Sequence, residues 1–157
     1  MSRPNITLIA IICLCVGACS ESPDTLVEHP RDSAAMDAAI AKARYTLSEF
    51  WQVFENPQQG ETDFALKLPI TEGDEVEYFW LTDIERTDDG RIFGLVGNEP
   101  GFVTTVAFGD RLKIPEADIS DWMYMRGGKM HGNHTLRPLL GQMDPEEAAS
   151  LRAILAD

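Results

Sequence analysis

Cysteine ends early in this chain of 157 residues. Cys13, Cys15 and Cys19 are the only three, so nothing after residue 19 can form a disulfide, act as a thiol nucleophile or bind a metal through sulfur. Cations are also scarce: 13 Lys and Arg stand against 26 Asp and Glu, for a net charge of −13. Such an acidic chain is excluded as a nucleic-acid binder, because phosphate backbones reward basic surfaces. It should not cling to anionic lipid by charge either. The apolar run Ile6–Val16 is too short to span a bilayer, which takes roughly 20 residues. There are no internal repeats. Gly-x-Ser-x-Gly, the signature of a nucleophile elbow, is missing.

What is present at the start reads as an export signal. Arg3 is a positive beginning, Ile6–Val16 is an uncharged core, and Gly17 and Ala18 are small residues before Cys19. This arrangement resembles a bacterial lipobox. The resemblance implies a signal peptide over 1–18, lipid on the Cys19 thiol, and a protein anchored in the cell envelope. Ser20 is compatible with the outer membrane, facing the periplasm. One acyl chain is a marginal anchor, and the bacterial modification, palmitate included, supplies several. Residues 19–32, rich in Ser, Pro and acids, read as a tether. The mature chain keeps all 26 acids and 12 of the bases, and its length suits one domain over 33–157.

The periodicity predicts an α+β fold. Met36, Ile40, Ala43, Leu47, Phe50, Trp51 and Phe54 recur every three or four residues, one apolar stripe on a leading amphipathic helix capped by Asp32 or Ser33. Phe64, Leu66, Leu68 and Ile70 then alternate as in a half-buried strand, with Pro69 placing it at an edge or ending it. A second strand carries Val76, Tyr78, Trp80, Thr82 and Ile84 on one face and Phe79 and Leu81 on the other. Asp89-Gly90 marks a hairpin. Strands are predicted at Ile92–Val96, Phe102–Phe108 and around Leu112 and Ile114. The stretch Asp121–Met125 should close the meander, giving an antiparallel sheet of five to six strands. A short helical segment should follow Gly132. A C-terminal helix opens at Asp144-Pro145-Glu146-Glu147, a capping acid, Pro at the first helical position and acids at the positive end of the dipole.

The chemistry concentrates in residues 111–137. This stretch holds Arg111, Lys113, Arg126, Lys129 and Arg137 against Glu116, Asp118 and Asp121, a net +2 inside an acidic chain. His131 and His134 lie there too. A basic spot of this kind suits an anion, whether a small ligand or an acidic loop of a partner protein, and Arg137 suits forked contact with oxyanions. The alternative is that these charges neutralise the protein's own acids across strands. "RGGKM", Arg126–Met130, is no phosphate loop, because the glycine spacing is short and Met follows the lysine; its glycines read as a hairpin turn. "HGNH", His131–His134, lacks a third metal ligand at a recognisable spacing. Ser120 or Thr135 with His131 and Asp121 is a nucleophile arrangement that most domains could offer.

Phe79-Trp80, Gly94 with Asn98 and Pro100, Gly109-Asp110, Ser120-Asp121-Trp122-Met123-Tyr124, Gly132 and Thr135-x-Arg137 together resemble the YegJ-like bacterial proteins, domain of unknown function 2314, from about Ala34 to Leu140. In that family a Gly-x-Tyr-Thr-x-Arg run closes the stretch, and here His134 stands in the place of the Tyr. The resemblance implies exported members and no assigned activity. A weaker likeness to toxin-immunity domains with an acidic-aromatic hairpin implies binding. The sequence therefore points to an envelope binding module without cofactor, metal or catalytic residue. Its contacts would be Asp121, Trp122, Tyr124, Lys129, His131, Thr135 and Arg137. The alternatives are a metal-assisted or acid/base hydrolase centred on Asp121, His131 and His134, and a purely structural envelope protein.

Overall fold

A computed structural model describes residues 34–156. The signal peptide expected over 1–18, Cys19, the tether expected over 19–32 and the helix cap expected at Asp32 or Ser33 lie outside the described residues. The fold is α+β: a leading helix, a six-stranded antiparallel sheet and a C-terminal helix. Helix α1 (Ala34–Glu55) precedes β1 (Glu61–Glu72), β2 (Glu75–Arg86), β3 (Ile92–Val96), β4 (Arg111–Ile114), β5 (Asp121–Arg126) and β6 (Lys129–Gly132), and α2 (Pro145–Ile154) closes the chain. One-turn 3-10 segments lie at Glu116–Asp118 and, slightly longer, at His134–Leu139. Among the described residues no helix is long and apolar enough to cross a membrane.

The stripe on α1 does what its spacing requires. Ala43, Leu47, Phe50 and Trp51 are buried against Leu66, Leu68, Phe79, Leu81 and Trp122, each large side chain contributing about 1.5–3 kcal/mol by leaving water. Trp122 Nε1 donates to the Ala43 carbonyl at 3.0 Å, and Arg44 Nε donates to the Ile119 carbonyl at 3.0 Å. The helix is thus pinned over the start of β5. On β2 the core face is Phe79 and Leu81, while Tyr78 and Trp80 face outward, partly exposed. A bulge with Asp83 at φ 46° then shifts the register against β3 and returns Ile84 to the core.

The sheet order is β4-β3-β2-β1-β5-β6, which corrects the simple meander. Residues 115–120 carry the chain past three strands, so that β5 pairs with the far side of β1. β1 is therefore central, not an edge. Pro69 is tolerated for a local reason. Lys67 and Trp80 are opposite each other and both bond outward, Lys67 O to Ser120 N and Trp80 N to Asn98 Oδ1. Pro69, two residues on, points its missing N–H the same way as Lys67, beyond the point where β5 pairing has ended.

The strand predicted at Phe102–Phe108 is absent. Residues 97–110 form a loop whose amides are taken by carboxylates instead of a neighbouring strand. Glu77 accepts from the amides of Gly101 (2.7 Å), Phe102 (3.2 Å) and Val103 (3.1 Å), and Glu72 accepts from Thr104 N (2.6 Å), Thr104 Oγ1 (2.7 Å) and Thr105 N (3.1 Å). These two strand-borne acids satisfy the backbone donors that a ladder would otherwise need.

Candidate functional site

Asp121 opens β5 and is completely buried. Its Oδ1 accepts from the amides of Trp122 (2.9 Å) and His134 (3.1 Å), and its Oδ2 accepts from the amide and the hydroxyl of Thr135, both at 2.7 Å. Thr135 Oγ1 in turn accepts from Lys67 Nζ at 3.0 Å, and that ammonium stands 4.7 Å from the centre of the Trp80 ring. The carboxylate brackets the 3-10 segment onto the sheet. Four donors occupy its two oxygens, so both are engaged within the fold. Ser120, buried, donates its hydroxyl to Lys67 O at 3.0 Å, so neither hydroxyl of the imagined nucleophile arrangement is aimed at an imidazole.

The hairpin β5–β6 turns through Gly127 and Gly128, both at positive φ, with Arg126 opposite Lys129, the geometry that a two-residue turn demands. At the other end of β6, Gly132 (φ 76°) lies against Trp122. A Cβ there would meet the Trp122 carbonyl oxygen and reach its Cε3 at 2.5 Å, so only glycine fits. Trp122 and Tyr124 are buried. Tyr124 stacks between Phe64 (5.5 Å) and His131 (4.9 Å, 2° between planes). Burial raises the pKa of the Tyr124 hydroxyl. Burial, and secondly the Arg126 charge, lower that of His131, which keeps this imidazole neutral at neutral pH.

His134 is buried edge-on against Trp122, at 5.5 Å, with Nε2 3.3 Å from Thr46 Oγ1 on α1. The Thr46 hydroxyl donates to the Lys42 carbonyl at 2.8 Å, which leaves its oxygen open to accept from Nε2. Nδ1 is buried without a partner. Burial pushes the pKa of His134 down; Asp121 opposes this, and Lys42 and Arg137 add to it. Among the described residues no three His, Cys, Asp or Glu side chains gather as metal ligands. His131 packs on Tyr124 and His134 reaches Thr46, so the structure does not bring Asp121, His131 and His134 together as a reacting triad.

Apart from Lys67, several cations either pair with carboxylates or hold main-chain oxygens. Arg86 pairs with Glu55 (2.7 Å), Arg91 with Asp89 (2.8 Å), Arg111 with Glu85 (2.6 Å) and Arg126 with Glu61 (2.6 Å). Lys129 and Arg137 instead hold main-chain oxygens, as Arg44 and Arg152 do. Lys129 Nζ donates to the Ala153 carbonyl at 2.6 Å and Arg137 Nη2 to the Ala156 carbonyl at 2.7 Å. No described carboxylate pairs with either, and Arg137 Nε is buried without a partner. Both side chains therefore converge on residues 153–156, the last turn of α2 and the segment that follows it, which also bridges β6 through Met130 and Leu155. Lys129 is exposed and His131 half-buried beside it, while Asp121, Trp122, Tyr124 and Thr135 lie inside. Sequence reasoning missed Lys67, Glu61 and the two carbonyls. Lys67 is one polar residue in a strand that alternates, and a carbonyl leaves no mark in a sequence.

A buried bracket carboxylate, an aromatic column and two cations on a C-terminal strip are thus set on one α+β domain. The chain belongs to the bacterial family described as "Uncharacterized protein conserved in bacteria (DUF2314)", whose profile matches residues 33–154. It is similar to the Uncharacterized protein YegJ of Escherichia coli (strain K12), 41% identical over 150 residues that cover 96% of each chain. It is also similar to the Putative ankyrin repeat protein NMB1133/NMB1171 of Neisseria meningitidis serogroup B (strain ATCC BAA-335 / MC58), 35% identical over 120 residues, which cover 71% of this chain and 47% of that protein. No solved structure matches the chain.

Proposed function

We propose that this protein is a binding module of the bacterial cell envelope, held at the membrane by lipid on Cys19 and facing the periplasm from the outer membrane. It receives an anionic group, on a partner protein or a small ligand, at the patch within residues 121–137. The observation that carries the reading is the state of Lys129 and Arg137: both ends are ordered by carbonyls at 2.6 and 2.7 Å, yet neither charge is met by a described acid. A guanidinium or ammonium fixed in place but not neutralised is preorganised for an external oxyanion. Asp121, Trp122, Tyr124 and Thr135 set the frame from inside, and His131 adds a neutral imidazole at the rim. The four donors on Asp121 favour binding over hydrolysis.

The test compares recovery of envelope partners by wild type and by a Lys129→Ala, Arg137→Ala double variant whose folding is checked by circular dichroism. Loss of a partner by the double variant supports the patch, and equal recovery of every partner discards it. For the anchor, Cys19→Ala should release the protein from membranes. A Cys19→Ala protein that still floats with membranes would contradict lipidation.

A further inference from the structure

The loop 97–110 is long for a connection inside a compact domain, and loops of that length without secondary structure usually carry function. It is held at every quarter: by Glu77 and Glu72 as described, by Asn98 Oδ1 on Trp80 N (2.9 Å), and by Asp110 Oδ2 on Ala107 N (2.9 Å). Val103 is buried in the main core and Val106 packs against it, which is enough to close that end of the sheet. Phe102 and Phe108 nevertheless remain outside, 47% and 60% exposed. Exposed large aromatics on a fixed loop have already lost the conformational freedom that binding would otherwise cost.

The segments that carry them hold acids and no cation up to Arg111, which is paired with Glu85. No Lys or Arg occurs from Leu68 to Glu85 or from Ile92 to Asp110. Glu72, Glu99 and Asp110 belong to these segments and are not buried, whereas Glu77 is buried beneath the loop amides; the Thr104 hydroxyl, and then the amides of Thr104 and Thr105, hold the Glu72 carboxyl below the usual range, so it stays ionised. Like charges oppose a second copy on this surface, and they oppose an anionic bilayer as well. From this complementarity we infer that the loop 97–110, with Phe102 and Phe108, is a docking surface for a cationic amphipathic segment of another protein. The aliphatic side chains of that segment would cover the rings, and its Lys and Arg would meet the carboxylates and the ring faces. This surface is separate from the patch at 121–137 and opposite in sign.

The experiment titrates a fluorescent synthetic peptide of alternating Lys and Leu into the full chain, with an alternating Glu and Leu peptide as control. Hydrogen exchange on the complex locates the contact. The inference predicts slowed exchange at 97–110, affinity that falls with added salt, and a loss of roughly tenfold or more in Phe102→Ser, Phe108→Ser. The Lys129→Ala, Arg137→Ala variant should bind the peptide as wild type does, which separates this surface from the anion patch. Protection spread over the whole acidic surface, or unchanged affinity in the Phe double variant, overturns the inference. Dimerisation of the wild type that the Phe double variant abolishes overturns it too, by giving the surface to a second copy.

Discussion

Replacing Asp121 tests most sharply whether its carboxylate is a bracket or a reacting group. In Asp121→Ala the amides of His134 and Thr135 and the Thr135 hydroxyl lose their shared acceptor in a place where Asp121 itself is wholly buried. Each buried donor left unsatisfied costs about 1–3 kcal/mol. Local relaxation recovers part, so the expected loss is about 4 kcal/mol or more, a large fraction of the 5–15 kcal/mol typical of a domain. Asp121→Asn keeps the shape and one acceptor. Its amide nitrogen would face the Thr135 N–H, so the loss should be nearer ~2 kcal/mol. The assay is urea unfolding of wild type and both variants at neutral pH, with exchange of the Thr135 amide as a local probe. That amide should exchange much faster in Asp121→Ala. Both variants lying within ~0.5 kcal/mol of wild type, the range of an ordinary surface change, would refute the bracket.

Gly132→Ala should destabilise by about 3 kcal/mol or more, from strain at φ 76° and collision with Trp122; thermal melting checks it, and a near-neutral result would contradict the contact. His134 has its pKa lowered by burial, so its contribution to stability is present above the ordinary imidazole value of about 6.5 and is lost as pH falls from there through the lowered folded value. Denaturant unfolding at pH 7 and pH 5 should show less acid loss in His134→Phe than in wild type, and equal losses would exclude this imidazole as a source. Glu77→Gln keeps an acceptor but removes the charge from three amide contacts, at about 1 kcal/mol or more. It should also speed hydrogen exchange at 101–103, and unchanged exchange there would show that the loop is held by other means.

The helix stripe and the first two strands were legible because periods of 3.6 and 2 survive in them. The loop 97–110 was not, because Val103, Thr104 and Thr105 have strand composition while their amides are satisfied by Glu72 and Glu77, some 26 to 33 residues away in the chain. A carboxylate on the inward face of β2, among Phe79 and Leu81, was the signal that pointed to it. The jump of β5 past three strands leaves no local trace, because pairing with β1 depends on non-local contacts. In the site, the glycine turn and the cations of residues 111–137 were readable from composition and turn chemistry. Which of them stand on the surface was not: Trp122 and Asp121 are adjacent on β5, yet both end inside, since α1 covers one and the 3-10 segment covers the other.

Under the proposed function, Lys129 and Arg137 hold charge for something outside the molecule. The direct measurement is quantitative recovery of envelope partners by Lys129→Ala, Arg137→Ala against Arg111→Ala, a control that removes a cation already paired with Glu85 at 2.6 Å. The account predicts that the double variant loses a partner which both the control and wild type retain. Identical recovery by all three proteins, with folding intact, would contradict it.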